Sequence, residues 1–189
     1  CVEVKPGDSR PEFGCFIDAR VKDPRFHDPA IYWHVLTFPT RATAEAAKSA
    51  TGAVVEEAGR VWLFEFSPRS VAPSGGKVVA VAGPLPLPSA KAYVADVAFA
   101  VMRPGDYSGV HTHPGPEAWY VVSGVQCLET PSGTTKVSAG GVGSVEAHIP
   151  MDLTVIGSET RRAFRLILHD SERPRAVPSR PPRGQCGRP

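Results

Sequence analysis

The sequence predicts an all-β fold that contains one short helix. Short runs of residues alternate apolar with polar side chains, or are rich in β-branched and aromatic residues, and Gly or Pro bounds most of them. Such runs are typical of strands joined by turns. Good helix composition occurs in one stretch, from Ala42 to Ala50. The 189 residues are enough to bury one good core and few for two, so we expect one main domain.

The N-terminal part of the chain is predicted to form an arm, a strand and the helix. Residues 1–30 carry scattered prolines and no sustained periodicity, so we expect an extended, loop-rich arm. The run from Ile31 to Phe38 has the β-branched and aromatic density of a strand. Thr40 is a candidate N-cap for the helix, and Gly52 would end it.

Seven further strands complete the predicted sheet structure. The strand from Tyr93 to Arg103 places Tyr93, Phe99 and three more apolar side chains on one face. Because this strand leads directly into the stretch described next, we expect that face to line a substrate pocket. The predicted ranges are 53–57, 61–66, 77–82, 93–103, 117–122, 125–130 and 162–169.

Candidate metal ligands are concentrated between Gly105 and Gly124. His111 and His113 are two residues apart, so an extended backbone points both imidazoles to the same side. Two prolines then favour a turn, and Glu117 opens a strand in which Trp119 shares its face. Two imidazoles and one carboxylate suit Fe(II), Zn, Cu or Mn and leave coordination positions open.

The spacing of five residues in this stretch resembles the first motif of the cupin superfamily. In that motif a glycine is followed, at fixed intervals, by two histidines, a glutamate and a second glycine, and here these are Gly105, His111, His113, Glu117 and Gly124. The resemblance implies an antiparallel jelly-roll barrel that carries one divalent transition metal per chain in its mouth. It also implies a homodimer. Cupins include dioxygenases, isomerases, decarboxylases, lyases and sugar-binding proteins.

The second cupin motif, which supplies a fourth ligand, is altered in this chain. When the stretch from Glu146 to Met151 is laid on the usual pattern, Met151 falls at the ligand position and His148 at a glycine. Either the imidazole of His148 turns in and becomes the fourth ligand, or Met151 faces the metal. A thioether ligand would favour copper, and otherwise Met151 would fill the pocket wall or core.

Charge and hydropathy exclude two classes of partner. A net charge of +2 is too small to argue for nucleic-acid binding, and no apolar run is long enough to span a membrane. Arginines are concentrated among prolines at residues 171–189, which we expect to form a solvated tail. The barrel domain is therefore predicted to occupy residues 31–170.

Four cysteines allow three pairings in an oxidising compartment. We expect Cys1 to pair with Cys15, closing a short loop, and Cys127 with Cys186, tying the tail to the barrel. Pairing would indicate an exported protein, and reduced thiols a cytosolic one. Because the chain begins at Cys1 rather than Met, we also expect a removed leader or a trimmed chain. Acylation of Cys1, as in lipoproteins, is a further alternative.

Three functions remain open at this level. The segments at 115–121, 126–130 and 161–170 resemble those of exported bacterial cupin-domain proteins of unknown function, which implies a secreted or periplasmic location. We expect a metal-dependent oxidoreductase that uses oxygen or peroxide on a small organic or carbohydrate substrate, with iron or copper ahead of zinc or manganese. The alternatives are a non-catalytic sugar- or small-ligand-binding protein and an isomerase or lyase with Tyr120 or Glu129 as acid or base.

Overall fold

The structure, a computed structural model, describes residues 1–4, 9–22, 24, 26, 28–180 and 186. Within these ranges the chain forms fifteen strands and one helix, which confirms the predicted all-β fold with one short helix. In chain order the elements are β1 (Val2–Glu3), β2 (Gly14–Lys22), β3 (Ala30–Phe38), α1 (Arg41–Ala47), β4 (Ala53–Glu57), β5 (Arg60–Ser67), β6 (Lys77–Pro86), β7 (Tyr93–Met102), β8 (His111–Thr112), β9 (Glu117–Ser123), β10 (Val125–Thr130), β11 (Gly133–Ser138), β12 (Val142–Val145), β13 (Asp152–Ile156), β14 (Arg161–Asp170) and β15 (Val177–Pro178).

The strands form three main sheets stacked in layers. The central sheet has the order β1-β2-β7-β14-β9-β12, and a three-stranded sheet, β11-β10-β13, lies against one of its faces. A four-stranded sheet, β4-β5-β3-β6, covers the opposite face. The short strands β8 and β15 pair with each other. Apart from the parallel pair β1 and β2, the described ladders are antiparallel.

Strand β14 carries apolar side chains on both of its faces. Phe164 packs on Phe64 of the four-stranded sheet, with ring centroids 4.8 Å apart, whereas Ala163 packs with Val121 and Val137 on the other side. A sheet buried between two layers needs apolar side chains in both directions, because each face removes its surface from water. The space between the central and three-stranded sheets holds the candidate site.

The local signals for the helix N-cap and the hairpin turn are confirmed, whereas Gly52 does not end the helix. Thr40 accepts a hydrogen bond from the Thr43 amide, 3.2 Å away, which satisfies a free donor of the first helical turn. The helix ends at Ala47, three residues before the predicted end. Ala58 and Gly59 both have positive φ, as a two-residue hairpin requires.

Two expectations about the ends of the chain are wrong. Residues 14–22, expected in a loop-rich arm, form β2 and pair with β7 in the central sheet. Residues 177–178, expected in a solvated tail, form β15 and pair with β8. Arg183 and Arg188 lie outside the described residues. No described helix has the length and apolar character needed to cross a membrane.

Both predicted disulfides are present. Cys1 is bonded to Cys15, and Cys127 of β10 is bonded to Cys186. The second bond fixes the tail to the three-stranded sheet across 59 residues of sequence.

Candidate metal centre

The side chains of the two histidines and the glutamate converge from β8, the residue after it and the start of β9. His111 lies on β8, and its amide and carbonyl exchange hydrogen bonds of 3.0 and 2.9 Å with Met151. Glu117 begins β9, opposite Ile167 of β14, and is buried. The donor atoms of His111, His113 and Glu117 all lie within 4.8 Å of one another, so the predicted ligand cluster is assembled.

Gly115 allows the chain to pass from β8 to β9. A Cβ built at this position would overlap the carbonyl oxygen of Leu168, so only glycine fits against β14 here. The close approach sets Glu117 beside the histidines. The glycine between the two prolines is therefore part of the site's construction.

Backbone carbonyls orient both imidazoles. The Nδ1 of His111 donates to the Gly109 carbonyl at 2.7 Å, and the Nδ1 of His113 donates to the Arg175 carbonyl at 2.5 Å. With a proton on Nδ1, the Nε2 of each neutral ring carries a lone pair available to a metal. The carbonyl of Arg175 thus brings the C-terminal segment into the site.

Charge distribution favours a neutral imidazole beside an ionised carboxylate. Burial lowers the pKa of His111 and so disfavours its protonated form. Burial alone would raise the pKa of Glu117, but the Arg165 guanidinium lowers it below its ordinary value. Glu117 is therefore an anionic ligand at neutral pH.

Two buried acceptor atoms face each other in the cluster. The Nε2 of His113 lies 2.9 Å from Oε2 of Glu117, and neither atom has a hydrogen-bond partner among the described residues. With Nδ1 as the donor, this contact brings two lone pairs together, an arrangement that a shared proton or a bound metal ion would stabilise. Since His111 adds a third donor, the residues fit a divalent transition metal.

The structure does not bring His148 to the cluster. His148 has φ of 64°, its side chain is exposed, and it borders a separate surface cavity with Pro88 and Asp170. Its amide donates to the His113 carbonyl at 2.8 Å, so the loop is anchored through its backbone. The alternative in which His148 is the fourth ligand is therefore wrong for this conformation.

A cavity of about 610 Å³ opens from the metal-ligand cluster. Trp119 and Met151, both predicted pocket residues, line it and are buried. Tyr93 and Phe99 do not line it, so that expectation is wrong. Phe99 packs on Phe164 between the central and four-stranded sheets, because the odd-numbered face of β7 points away from the site. Tyr93 borders a second cavity.

Sequence reasoning missed three arginines that line the same cavity. Arg161 and Arg165 project from β14, and Arg175 follows that strand. Arg161 is 1% exposed, and burial lowers its pKa to about 10, so it stays charged at neutral pH. Burial also lowers the pKa of Arg165, and the nearby Glu117 opposes the change. The available signal was a charged residue, Arg165, inside a strand whose other face carries Phe164 and Leu166.

No family model and no curated protein matches the chain. Two of the solved structures that resemble it are cupins. A cupin superfamily protein from Desulfitobacterium hafniense is 13% identical over 40% of this chain and 68% of its own, with a TM-score of 0.38. A cupin 2 domain-containing protein from Halorhodospira halophila is 17% identical over 44% and 57%, with a TM-score of 0.39.

A mutant salicylate 1,2-dioxygenase from Pseudoaminobacter salicylatoxidans, in complex with gentisate, also resembles the chain. It is 21% identical over 38% of this chain and 19% of its own, with a TM-score of 0.35. Each of these alignments covers less than half of the chain, so the case for function rests on the residues of the site itself.

Proposed function

We propose that this protein is a metal-dependent oxidoreductase that uses oxygen or peroxide to oxidise a small organic substrate. The observation that carries the proposal is the group of three donors, His111, His113 and Glu117, which opens onto a cavity. Two histidines and one carboxylate with open positions are the ligand set of non-haem iron oxygenases. When bound, iron or copper supplies the one-electron chemistry that reaction with oxygen requires.

The described residues of the cavity hold and shield a substrate. Trp119, Met151 and Leu153 offer apolar surface for an organic group, and they exclude water from the donor cluster. The backbone carbonyls at Gly109 and Arg175 hold the imidazoles in one tautomer. Met151 is the β-bridge partner of His111. Its side chain contributes an apolar wall to the cavity or would offer a soft sulfur ligand.

The side chains described in the cavity wall disfavour an isomerase or lyase. Apart from the three donors, the titratable side chains that line it are arginines, which stay protonated. Tyr120 lies on the opposite face of the central sheet, 5.9 Å from Trp62 between ring centroids. Glu129 is buried on β10 and does not line the cavity. Oxidation through the metal needs neither residue.

Sugar binding without turnover is the remaining alternative. A sugar needs hydrogen-bond partners for several hydroxyl groups. The uncharged side chains around the cavity, such as Trp119, Met151 and Leu153, present mainly hydrocarbon, sulfur and ring surface. An organic substrate with an apolar body suits this wall better.

Oxygen uptake tests the proposal. The protein is loaded with Fe(II) or Cu(II) and assayed in an oxygen electrode against small phenols, alcohols, sugars and organic acids. We expect uptake with wild type and with His148→Ala, which removes a histidine outside the donor cluster, and none with His111→Ala. Equal uptake by wild type and His111→Ala would contradict the proposal. Retained zinc without uptake would favour the binding protein.

Two disulfides support an extracytoplasmic location as part of the same proposal, because such bonds persist in oxidising compartments. The homodimer that the cupin resemblance implies stays a prediction. Light scattering of the purified chain would measure its mass in solution.

A further inference from the structure

Arg161 offers an unused donor inside the cavity. Its Nε donates to Oε1 of Gln126 at 2.8 Å, and one terminal nitrogen lies 3.6 Å from the Met102 sulfur. The other terminal nitrogen, Nη2, is buried and has no hydrogen-bond partner among the described residues. A guanidinium that is 1% exposed loses its water, so an unpaired N–H group there is costly unless a ligand supplies the acceptor.

Arg165 presents a second positive charge to the same space. Its Nε lies 3.4 Å from Oε1 of Glu117 without forming a hydrogen bond, and 17% of its side chain is exposed. Arg161 and Arg165 are four residues apart on β14, so the alternation of the strand sends both to the cavity side.

Arg175 differs from these two because its charge is already paired. Its two terminal nitrogens donate to Asp96 at 3.0 Å and to the Cys1 carbonyl at 2.6 Å. Among the described lining residues, Glu117 is the one carboxylate that faces Arg161 and Arg165. Two guanidinium groups and one carboxylate leave an excess positive charge, and a divalent metal increases it. Such an excess in a buried site is stabilised by an anion.

We infer that the substrate is a small organic acid whose carboxylate binds Arg161 and Arg165. This inference rests on the proposed function for the identity of the site and adds the class of substrate. A guanidinium presents two parallel N–H groups that match the two oxygens of a carboxylate. The apolar body of the acid lies against Trp119, Met151 and Leu153, beside the donor cluster.

Binding of benzoate to the zinc-loaded protein tests the inference without turnover. Benzoate and benzamide have the same size and ring, and they differ in charge. By calorimetry we expect benzoate to bind at least about tenfold more tightly than benzamide, since charge-assisted hydrogen bonds are about twice as strong as neutral ones. Equal binding of the two compounds would overturn the inference. Tighter binding of phenyl phosphate than of benzoate would overturn the assignment to a carboxylate.

Variants on β14 separate the arginines from the metal as the source of benzoate binding. We expect Arg161→Gln and Arg165→Gln each to weaken benzoate binding about tenfold or more at unchanged zinc content. Arg162→Gln removes the same charge from the same strand, but Arg162 does not line the cavity, so binding should be kept. Benzoate affinity that is unchanged in both cavity variants would overturn the inference.

Lysine variants cover the case in which the glutamine variants do not fold. Arg161→Lys and Arg165→Lys keep the charge and lose the planar fork, so we expect weaker benzoate binding by folded protein. Unchanged affinity in both would overturn the inference. If the proposed oxidoreductase function is wrong but this inference is right, benzoate binds through the arginines and no substrate supports oxygen uptake. If this inference alone is wrong, oxygen uptake is retained but shows no preference for organic acids over other substrates.

Discussion

The carboxylate of Glu117 lies between a histidine and an arginine, with Oε2 2.9 Å from His113 Nε2 and Oε1 3.4 Å from Arg165 Nε. One oxygen thus belongs to the donor cluster and the other faces the positive charge of the cavity. Glu117 therefore links the predicted metal centre to the proposed anion site.

Replacing Glu117 with glutamine should weaken both features. Removing a residue that merely orients a metal ligand lowers metal affinity by about 10- to 100-fold, so loss of a ligand charge should cost at least as much. Loss of the opposite charge beside the largely buried Arg165 should also lower the free energy of unfolding. Chelator competition and denaturant titration measure the two effects. Glu146→Gln, which changes an exposed acid nearby, should show neither effect.

Gly115→Ala should damage the site through backbone displacement. The added Cβ would meet the Leu168 carbonyl oxygen, so β9 must shift away from β14. We expect a loss of about 2 kcal/mol or more in unfolding free energy, as for overpacked cores, together with reduced metal binding. Gly59→Ala is the matched control, because open space surrounds that position and the strain of its positive φ costs about 1 kcal/mol. Equal losses in the two variants would contradict the account of Gly115.

The raised pKa of Asp18 should make the unfolding free energy depend on pH, independently of the metal-ligand cluster. Burial raises the pKa of Asp18 to about 6, although Arg10, 2.5 Å away, opposes the change. Between the unfolded value of about 4 and pH 6, the folded state binds more protons than the unfolded state, so stability falls as pH rises. Asp18→Asn should remove this decline. The unfolding free energy of the variant minus that of wild type should therefore increase between pH 4 and pH 7. A constant difference across that range would exclude the effect.

The disulfide between Cys127 and Cys186 should stabilise the fold. Cross-linking residues 59 apart restricts the unfolded chain, which is typically worth about 2–4 kcal/mol. A Cys127→Ser, Cys186→Ser double variant should therefore melt at a lower temperature than wild type under oxidising conditions. Under reducing conditions the difference should shrink. Equal melting temperatures of wild type and the double variant under oxidising conditions would show that the bond does not stabilise the fold.

The donor cluster was predictable because its geometry is local. His111, His113 and Glu117 lie within seven residues, and the two-residue period of a strand together with the Pro-Gly-Pro turn sets their directions. The disulfide pairing followed from loop closure at the ends of the chain. Neither prediction needed knowledge of distant strands.

Orientation of β7 was not predictable from its own sequence. Phe99 and its odd-numbered neighbours are apolar, but Ala98 and Ala100 on the even-numbered face are buried as well. Periodicity cannot choose between two buried faces, and the four-stranded sheet decides the outcome by covering the Phe99 side. The arginines of β14 were missed for the related reason that a charged alternate position usually faces solvent. Strand β2 escaped notice because its bulge between Ile17 and Ala19 interrupts the alternation.

Metal content is the most direct test of the central claim that His111, His113 and Glu117 hold one metal ion. The wild-type chain and the His113→Ala and His148→Ala variants are loaded with the same divalent metal, passed through a desalting column and analysed by mass spectrometry. We expect about one ion per chain in wild type and His148→Ala, and almost none in His113→Ala, because two donors hold a metal far less tightly than three. Equal metal in wild type and His113→Ala, or none in wild type, would contradict the account.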